Sequence, residues 1–306
     1  MDYELAIVGA GPAGFSAAIY AKRSGISTVV FDRGSGGGLL QLAPNIENFT
    51  GFVSISGVDL VEKMKQHASK YADFHFYEAV NEVKDSSKGF MVTTEKTTYP
   101  VGAVILCTGT EYKKLNIPGE SKLLGKGVSY CATCDGFFFK GKRVVVVGGG
   151  NTALMESIFL KQLGCKEVYV VHRRDQFRAE EIYEDEAREK GVRFLFDTIV
   201  EEIYGNESVS SVGLFNLGTS ERSRLTVDGV FASVGVLPQN EIAKSLQLKL
   251  DEDGYIIVDN AQRTNVHGVY AAGDITGGLR QVVTACAKGA IAALSSTEVL
   301  GKKYPY

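Results

Sequence analysis

The sequence predicts an α/β protein built from two Rossmann-like domains, one inserted in the other. A strand–turn–helix–strand unit that occurs twice, and the nested order of the strands that follow it, carry this expectation. The first copy is "LAIVGAGPAGFSAAIYAKRSGISTVVFDR", residues 5–33; the second is "VVVVGGGNTALMESIFLKQLGCKEVYVVHRR", residues 144–174. Each opens on a β-branched apolar run, turns on glycines and continues with helical periodicity. Each then stops at Gly25 or Gly164, where a helix ends in the left-handed conformation that glycine tolerates. At one constant offset Gly9 falls on Gly148, Gly11 on Gly150 and Gly14 on Ala153. Two such units give parallel sheets with a dinucleotide cradle in each.

The turn glycines have separate jobs. Gly9 allows the tight strand-to-helix turn, Gly11 lets the backbone approach a pyrophosphate, and Gly14 or Ala153 lets helix and strand pack closely. Phosphates then face free N–H groups and the positive end of a helix dipole. The second strands of the two copies end differently. The first ends at Asp32, placed to accept hydrogen bonds from an adenosine ribose. The second runs into "HRRDQFRAE", where Arg173, Arg174 and Arg178 can surround a 2′-phosphate. The first cradle is therefore expected to take a dinucleotide with a free ribose, and the second to prefer NADPH over NADH.

The remaining strands fix the nesting. "AVILCTGT" and "GVFASVG" are buried strands ending in small residues, one per copy, and "GVYAAGDITGGLRQVVTACAKGAIAAL" gives a strand, Asp274, a loop and an alanine-rich helix. One domain is expected from residues 1–114 and 246–306, the other from 115–245, with the proline-bearing segments "LNIPGE" and "GVLPQNE" as linkers. A length of 306 residues suits two domains. The net charge of -3 and the lack of like-charge blocks argue against a nucleic-acid surface. No uninterrupted apolar run reaches the ~18 residues of a membrane helix. The leader before the first apolar run carries Asp2 and Glu4, and glycines break that run, so it does not read as a signal peptide. A cytoplasmic protein is expected.

One motif lies outside the repeat. In "VSYCATCDGFFFKG", Cys131 and Cys134 bracket two residues and Asp135 follows. The stretch alone is open to a zinc half-site, a structural staple or a redox dithiol, since the answer depends on what exchanges electrons with it.

"CATCDG", the doubled glycine fingerprint, "HRRDQFRA" and "GVYAAGDITGGLRQV" together resemble the low-molecular-weight thioredoxin reductases, FAD/NADPH members of the pyridine nucleotide-disulfide oxidoreductases, over essentially the whole chain. The resemblance implies two FAD/NAD(P)-binding folds, with FAD in the first and NADPH in the second, a redox disulfide in the inserted domain, a homodimer and a thioredoxin-like partner. Charge, hydropathy and the missing further ligands give the expectation of no nucleic-acid or membrane partner and no metal. By resemblance Gly9, Gly11, Pro12, Ala13 and Gly14 hold the FAD pyrophosphate and Asp32 the ribose. Gly37, Gly38 and Leu39 lie along the cofactor, Asn48 on its flavin side and Val80 at the adenine. Thr108 and Gly109 approach from the next strand. Asp274 meets the ribityl chain, and Arg280, Gln281 and Val282 face the flavin pyrimidine edge. Gly150, Asn151, Thr152 and Ala153 take the NADPH pyrophosphate, and His172, Arg173, Arg174 and Arg178 take the phosphorylated ribose.

The implied reaction is thioredoxin-disulfide reduction: hydride from NADPH to FAD, electrons to the Cys131–Cys134 disulfide, then exchange with the partner. Cys134 is implied to lie nearest the flavin, Cys131 to attack the partner and Asp135 to move the proton. Zinc lacks two further ligands, because Cys107 and Cys165 are isolated and His172 sits among arginines. Leu39 replaces a glutamine common in the family, and Glu156 is a single acid where many relatives have two. The alternatives are a sister enzyme with another disulfide acceptor, peroxiredoxin-linked or small, and a flavin redox sensor. Because NADPH and the disulfide share the inserted domain and one flavin face, a rotation of that domain is expected. Cys107, Cys165 and Cys286 read as buried small residues, and Phe137–Phe139 as core or interdomain packing.

Overall fold

Every residue of the strand Leu5–Val8 is buried, because it lies at the centre of a parallel sheet covered on both faces. The computed structural model describes residues 3–43 and 45–303. Its α-helices are α1 (Pro12–Arg23), α2 (Gly57–Ala68), α3 (Ala132–Asp135), α4 (Asn151–Gln162), α5 (Glu181–Glu189), α6 (Glu241–Ser245) and α7 (Val282–Val299). The chain divides into two compact units, one running to Glu111 and resuming at Leu237, the other Tyr112–Val236.

In the first unit the sheet order is Val269–Ala271, Ala103–Leu106, Leu5–Val8, Thr28–Phe31, Asp73–His75, with every pair parallel. The two-residue alternation of a strand splits its apolar residues between two cores. Leu5 and Ile7 pack with Ala17, Ala21, Ala292 and Ala293 of α1 and α7. Ala6 and Val8 pack with Val83, Phe90 and Val92 of a three-stranded antiparallel sheet on the other face. The helix α7 is long and apolar enough by composition to cross a membrane, although Lys288 and Glu298 interrupt it. It packs on α1 instead. A Cβ at buried Gly289 would come within 2.1 Å of the Ala13 carbonyl oxygen, so the two helix backbones nearly touch.

The second unit repeats the plan. Its parallel sheet runs Arg193–Leu195, Glu167–Val171, Arg143–Gly148, Gly229–Ser233, Val128–Ser129. Val144 and Val146 face the core under α4 and α5, while Val145 faces a second antiparallel sheet through Val200, Val212 and Leu214. Gly25 and Gly164 have φ of +76° and +89°, the left-handed helix stops that the repeat assigns to them.

The crossings between units fall near 111 and 236 rather than at 114 and 245. The second lies earlier because Ala243 and Leu248, in and after α6, pack into the first unit's core beside Val83. The chain crosses inside two short strands, Thr110–Tyr112 and Val236–Pro238, which form a two-stranded sheet.

Candidate active site

The short strand Val128–Ser129 delivers the chain to Tyr130, whose ring stacks on Tyr112 at 5.0 Å. Its hydroxyl donates to buried Glu120 at 2.8 Å. Beyond this anchor Cys131 caps the single-turn helix α3 and forms a disulfide with Cys134, with a Cα–Cα separation of 5.3 Å. Both cysteines are half-buried.

Asp135 closes α3. One carboxylate oxygen accepts the Ser129 hydroxyl proton at 2.6 Å, and Ser129 Oγ in turn accepts the Cys131 N–H at 3.0 Å. The other oxygen is buried and has no hydrogen-bond partner. Burial raises the Asp135 pKa above the ordinary carboxylate value, and the Ser129 hydrogen bond offsets that only in part. An acid next to a disulfide whose proton is held more tightly than usual is suited to giving it up to a thiolate. On the other side of α3, Glu156 Oε1 accepts the Ala132 N–H at 3.3 Å. The sequence noted Glu156 only as a retained acid and did not single out Ser129. Neither could be found from spacing, because the partners sit on different elements.

The first dinucleotide turn lies at the N-terminus of α1. Gly9 has φ +106°, and a Cβ there would stand 2.2 Å from the Cys107 carbonyl oxygen, so the "TGT" loop presses against the turn. A Cβ on Gly14 would meet the Gly9 carbonyl oxygen at 2.0 Å, whereas Gly11 faces open space. No side chain caps α1, which leaves its first N–H groups free for an anion. Asp32 is committed to this turn, accepting the Ala10 N–H on one oxygen and the Gly34 N–H on the other, each at 2.8 Å. Each oxygen keeps a lone pair for a ribose hydroxyl.

Some of the other residues expected here pack against this turn, and the rest are held by contacts of their own. Gly37 donates its N–H to the Ala10 carbonyl at 2.7 Å, which brings Gly38 and half-buried Leu39 alongside Gly11. Val80 follows Glu78, whose N–H donates to the Asp32 carbonyl. Thr108 Oγ1 donates to the Gln239 carbonyl at 2.7 Å, and Gln239 donates back to Gly109. Gly273, just before Asp274, abuts Ala13 closely enough that a Cβ would lie 2.9 Å from the Ala13 methyl. Burial raises the Asp274 pKa, with Arg280 and Lys288 opposing it. Asn48 Nδ2 donates to Gln281 Oε1 at 3.1 Å. Gln281 also forms a capping box with Thr284 at the start of α7, immediately before Val282, and Arg280 donates to the Tyr255 hydroxyl at 2.8 Å.

The second turn leads into α4, again with no side-chain cap. Gly150 faces open space; Asn151 is clasped by Glu180, donating to Glu180 Oε1 at 2.7 Å and accepting the Glu180 N–H at 2.8 Å. Thr152 is exposed and Ala153 buried. His172 is buried beside the exposed arginines. It is only 6% exposed, and its ring occupies the place a side chain on Gly149 would need. Burial, then the charges of Arg174 and Arg178, push its pKa down, against hydrogen bonds with backbone at Gln176 and Gly148. Among the described residues its Nε2 has no hydrogen-bond partner. Arg173, Arg174 and Arg178 are exposed, and among the described residues no carboxylate pairs with them. The Arg178 N–H donates to the Gly149 carbonyl, tying the cationic segment to the glycine turn.

Two readings of hydrophobic residues need correction. Phe139 is in the core and Phe138 packs against it, but Phe137 is 62% exposed. Cys107 and Cys165 are buried, whereas Cys286 is half-buried against the Pro12 carbonyl.

The family model described as pyridine nucleotide-disulphide oxidoreductase matches residues 3–289. A curated thioredoxin reductase of Bacillus subtilis is 43% identical over 296 residues, covering 96% of this chain and 93% of the relative. The crystal structure of thioredoxin reductase from Streptococcus pyogenes is 40% identical, with a TM-score of 0.93 and 98% of each chain covered. Thioredoxin reductase from Giardia duodenalis is 35% identical with a TM-score of 0.92, covering 98% of this chain and 99% of that one. With a disulfide followed by a half-buried acid and two glycine turns at open helix N-termini, this chain belongs to the pyridine nucleotide-disulphide oxidoreductase family.

Proposed function

We propose that this oxidoreductase reduces the disulfide of a thioredoxin, using the Cys131–Cys134 pair as its exchanging dithiol. The observation that carries the reading is that disulfide, mounted on α3 with Asp135 behind it, in a chain whose full-length relatives are thioredoxin reductases. The family works with FAD and NADPH, and the two turns fit them. The first offers uncapped N–H groups, an open Gly11 and an Asp32 suited to a free ribose. The second offers an open Gly150, the unpartnered His172 Nε2 and three arginines for a 2′-phosphate. When bound, FAD supplies the disulfide with the electron pair it takes from NADPH.

The protein's own residues account for the remaining chemistry. In the reduced state the Cys131 thiolate attacks one sulfur of the partner disulfide, forming a mixed disulfide and expelling the partner's other sulfur as a thiolate. The Cys134 thiolate then attacks Cys131 Sγ. This re-forms the Cys131–Cys134 bond and releases the second partner sulfur. Two electrons leave with the partner, and two protons complete its dithiol, one routed through Asp135. The assignment of Cys131 as the attacking thiol follows the family resemblance, and its place at the N-terminal edge of α3 is compatible with it. The working assembly is a homodimer in a reducing, cytoplasmic compartment, which keeps Cys107, Cys165 and Cys286 as thiols.

Anaerobic titration with NADPH, followed by flavin absorbance, tests this reading. Uptake of four electrons per chain, followed by reoxidation on adding a thioredoxin disulfide, is the expected result. Uptake of only two electrons would remove the disulfide from the path. Four electrons without reoxidation by thioredoxin would reassign the acceptor.

A further inference from the structure

Glu156 joins the redox helix to the second glycine turn through one carboxylate. It lies on α4, the helix that starts at that turn. Its Oε1 accepts the N–H of Ala132, the first residue of α3, between the two cysteines, at 3.3 Å. Its Oε2 accepts the hydroxyl proton of Ser233, which ends the strand Gly229–Ser233. The Ser233 carbonyl oxygen stands 2.4 Å from where a Cβ on Gly148 would be. The half-buried carboxylate is therefore built into the contact between α3, α4 and the strand beside the turn.

Ahead of α3, Tyr130 precedes Cys131 and donates to the buried Glu120. On α3, the following 3-10 turn Gly136–Phe139 and α4, the ionisable side chains besides the cysteines are Asp135, Glu156 and Lys161. Lys161 reaches the other way, to the Lys166 carbonyl at 3.5 Å, and Asp135 is held by Ser129. Glu156 alone among them accepts the helix's own first N–H. A negative charge there opposes a second negative charge on either sulfur, and partial burial weakens the screening that water would give.

Building on the disulfide reading above, we propose that Glu156 is a positioning residue for thiol–disulfide exchange. It seats the CATC helix on α4, and its charge restrains thiolate formation in the reduced pair. The test is iodoacetamide alkylation of the reduced holoenzyme across pH, with each cysteine followed by mass spectrometry. Glu156→Gln keeps an oxygen for the Ala132 N–H but removes the charge. Its alkylation midpoint should fall by about half to one pH unit, equivalent to roughly three- to tenfold more thiolate below the midpoint. Glu156→Ala should show the same fall together with faster amide exchange at Ala132. A Glu156→Gln midpoint that is unchanged or raised overturns the inference, even if Glu156→Ala is destabilised, because a purely structural carboxylate would not move it. Failure of the underlying reading shows separately, as a wild-type protein that takes up no second electron pair from NADPH.

Discussion

Asp135 is held between two requirements. Its buried, unpartnered oxygen makes ionisation costly in the folded protein, while the proposed chemistry needs its proton to move. The folded pKa is raised above the unfolded value, and for a carboxyl group that sign means stability is greatest at low pH. That stability is lost as pH rises from the unfolded value through the shifted one. Asp135→Asn removes the cost and keeps an acceptor for Ser129. A Tm at pH 7 equal to or above wild type is expected, with turnover reduced at least tenfold. Thermal scans and steady-state rates check both. A lowered Tm with normal turnover would make Asp135 a structural turn residue. The cationic trio makes a second prediction at this scale. Replacing Arg173, Arg174 and Arg178 with alanine should raise KM for NADPH by roughly 10- to 100-fold and leave that for NADH nearly unchanged, measured side by side. Equal effects on both would assign the arginines to a solvated face. Residues such as these were legible because their types and spacing define the chemistry. Glu156 and Ser129 were not, because their hydrogen bonds join an N–H or a hydroxyl to a carboxylate on a different element.

At the scale of elements, the repeat in the sequence corresponds to two parallel sheets with equivalent turns, since strand, glycine and helix each follow local rules of period and backbone freedom. The approach of α7 to α1 does not follow from local rules. It depends on Gly289 meeting Ala13 almost backbone to backbone, hundreds of residues away along the chain. Gly289→Val would force these helices apart. We expect a loss of about 1–3 kcal/mol in denaturant unfolding, with weaker FAD retention if α1 opens the proposed FAD site. Retention at wild-type strength would show that the first cradle tolerates movement of α1. The exposed face of Phe137 was likewise invisible in "FFF", because adjacent residues of a 3-10 turn point in different directions and only packing decides which is covered.

For the whole molecule, the chain passes from one unit to the other twice, near 111 and near 236. If the inserted unit must turn to serve both the NADPH and the partner, an inter-unit cross-link between engineered cysteines should abolish turnover and reduction should restore it. Full turnover with the cross-link intact would exclude the rotation. The sequence by itself determined the two repeated dinucleotide units, the spacing of the CxxC pair and the arginine trio, while the redox reading of that pair came with the family resemblance. These depend on residue type at short spacing, where backbone sterics and charge act locally. Tertiary structure alone decided that α6 belongs to the first unit, that His172 lies beneath its turn with an unpartnered nitrogen, and that two acids flank the disulfide helix. Those outcomes depend on burial and on hydrogen bonds between distant segments, which form only once the sheets have brought the segments together.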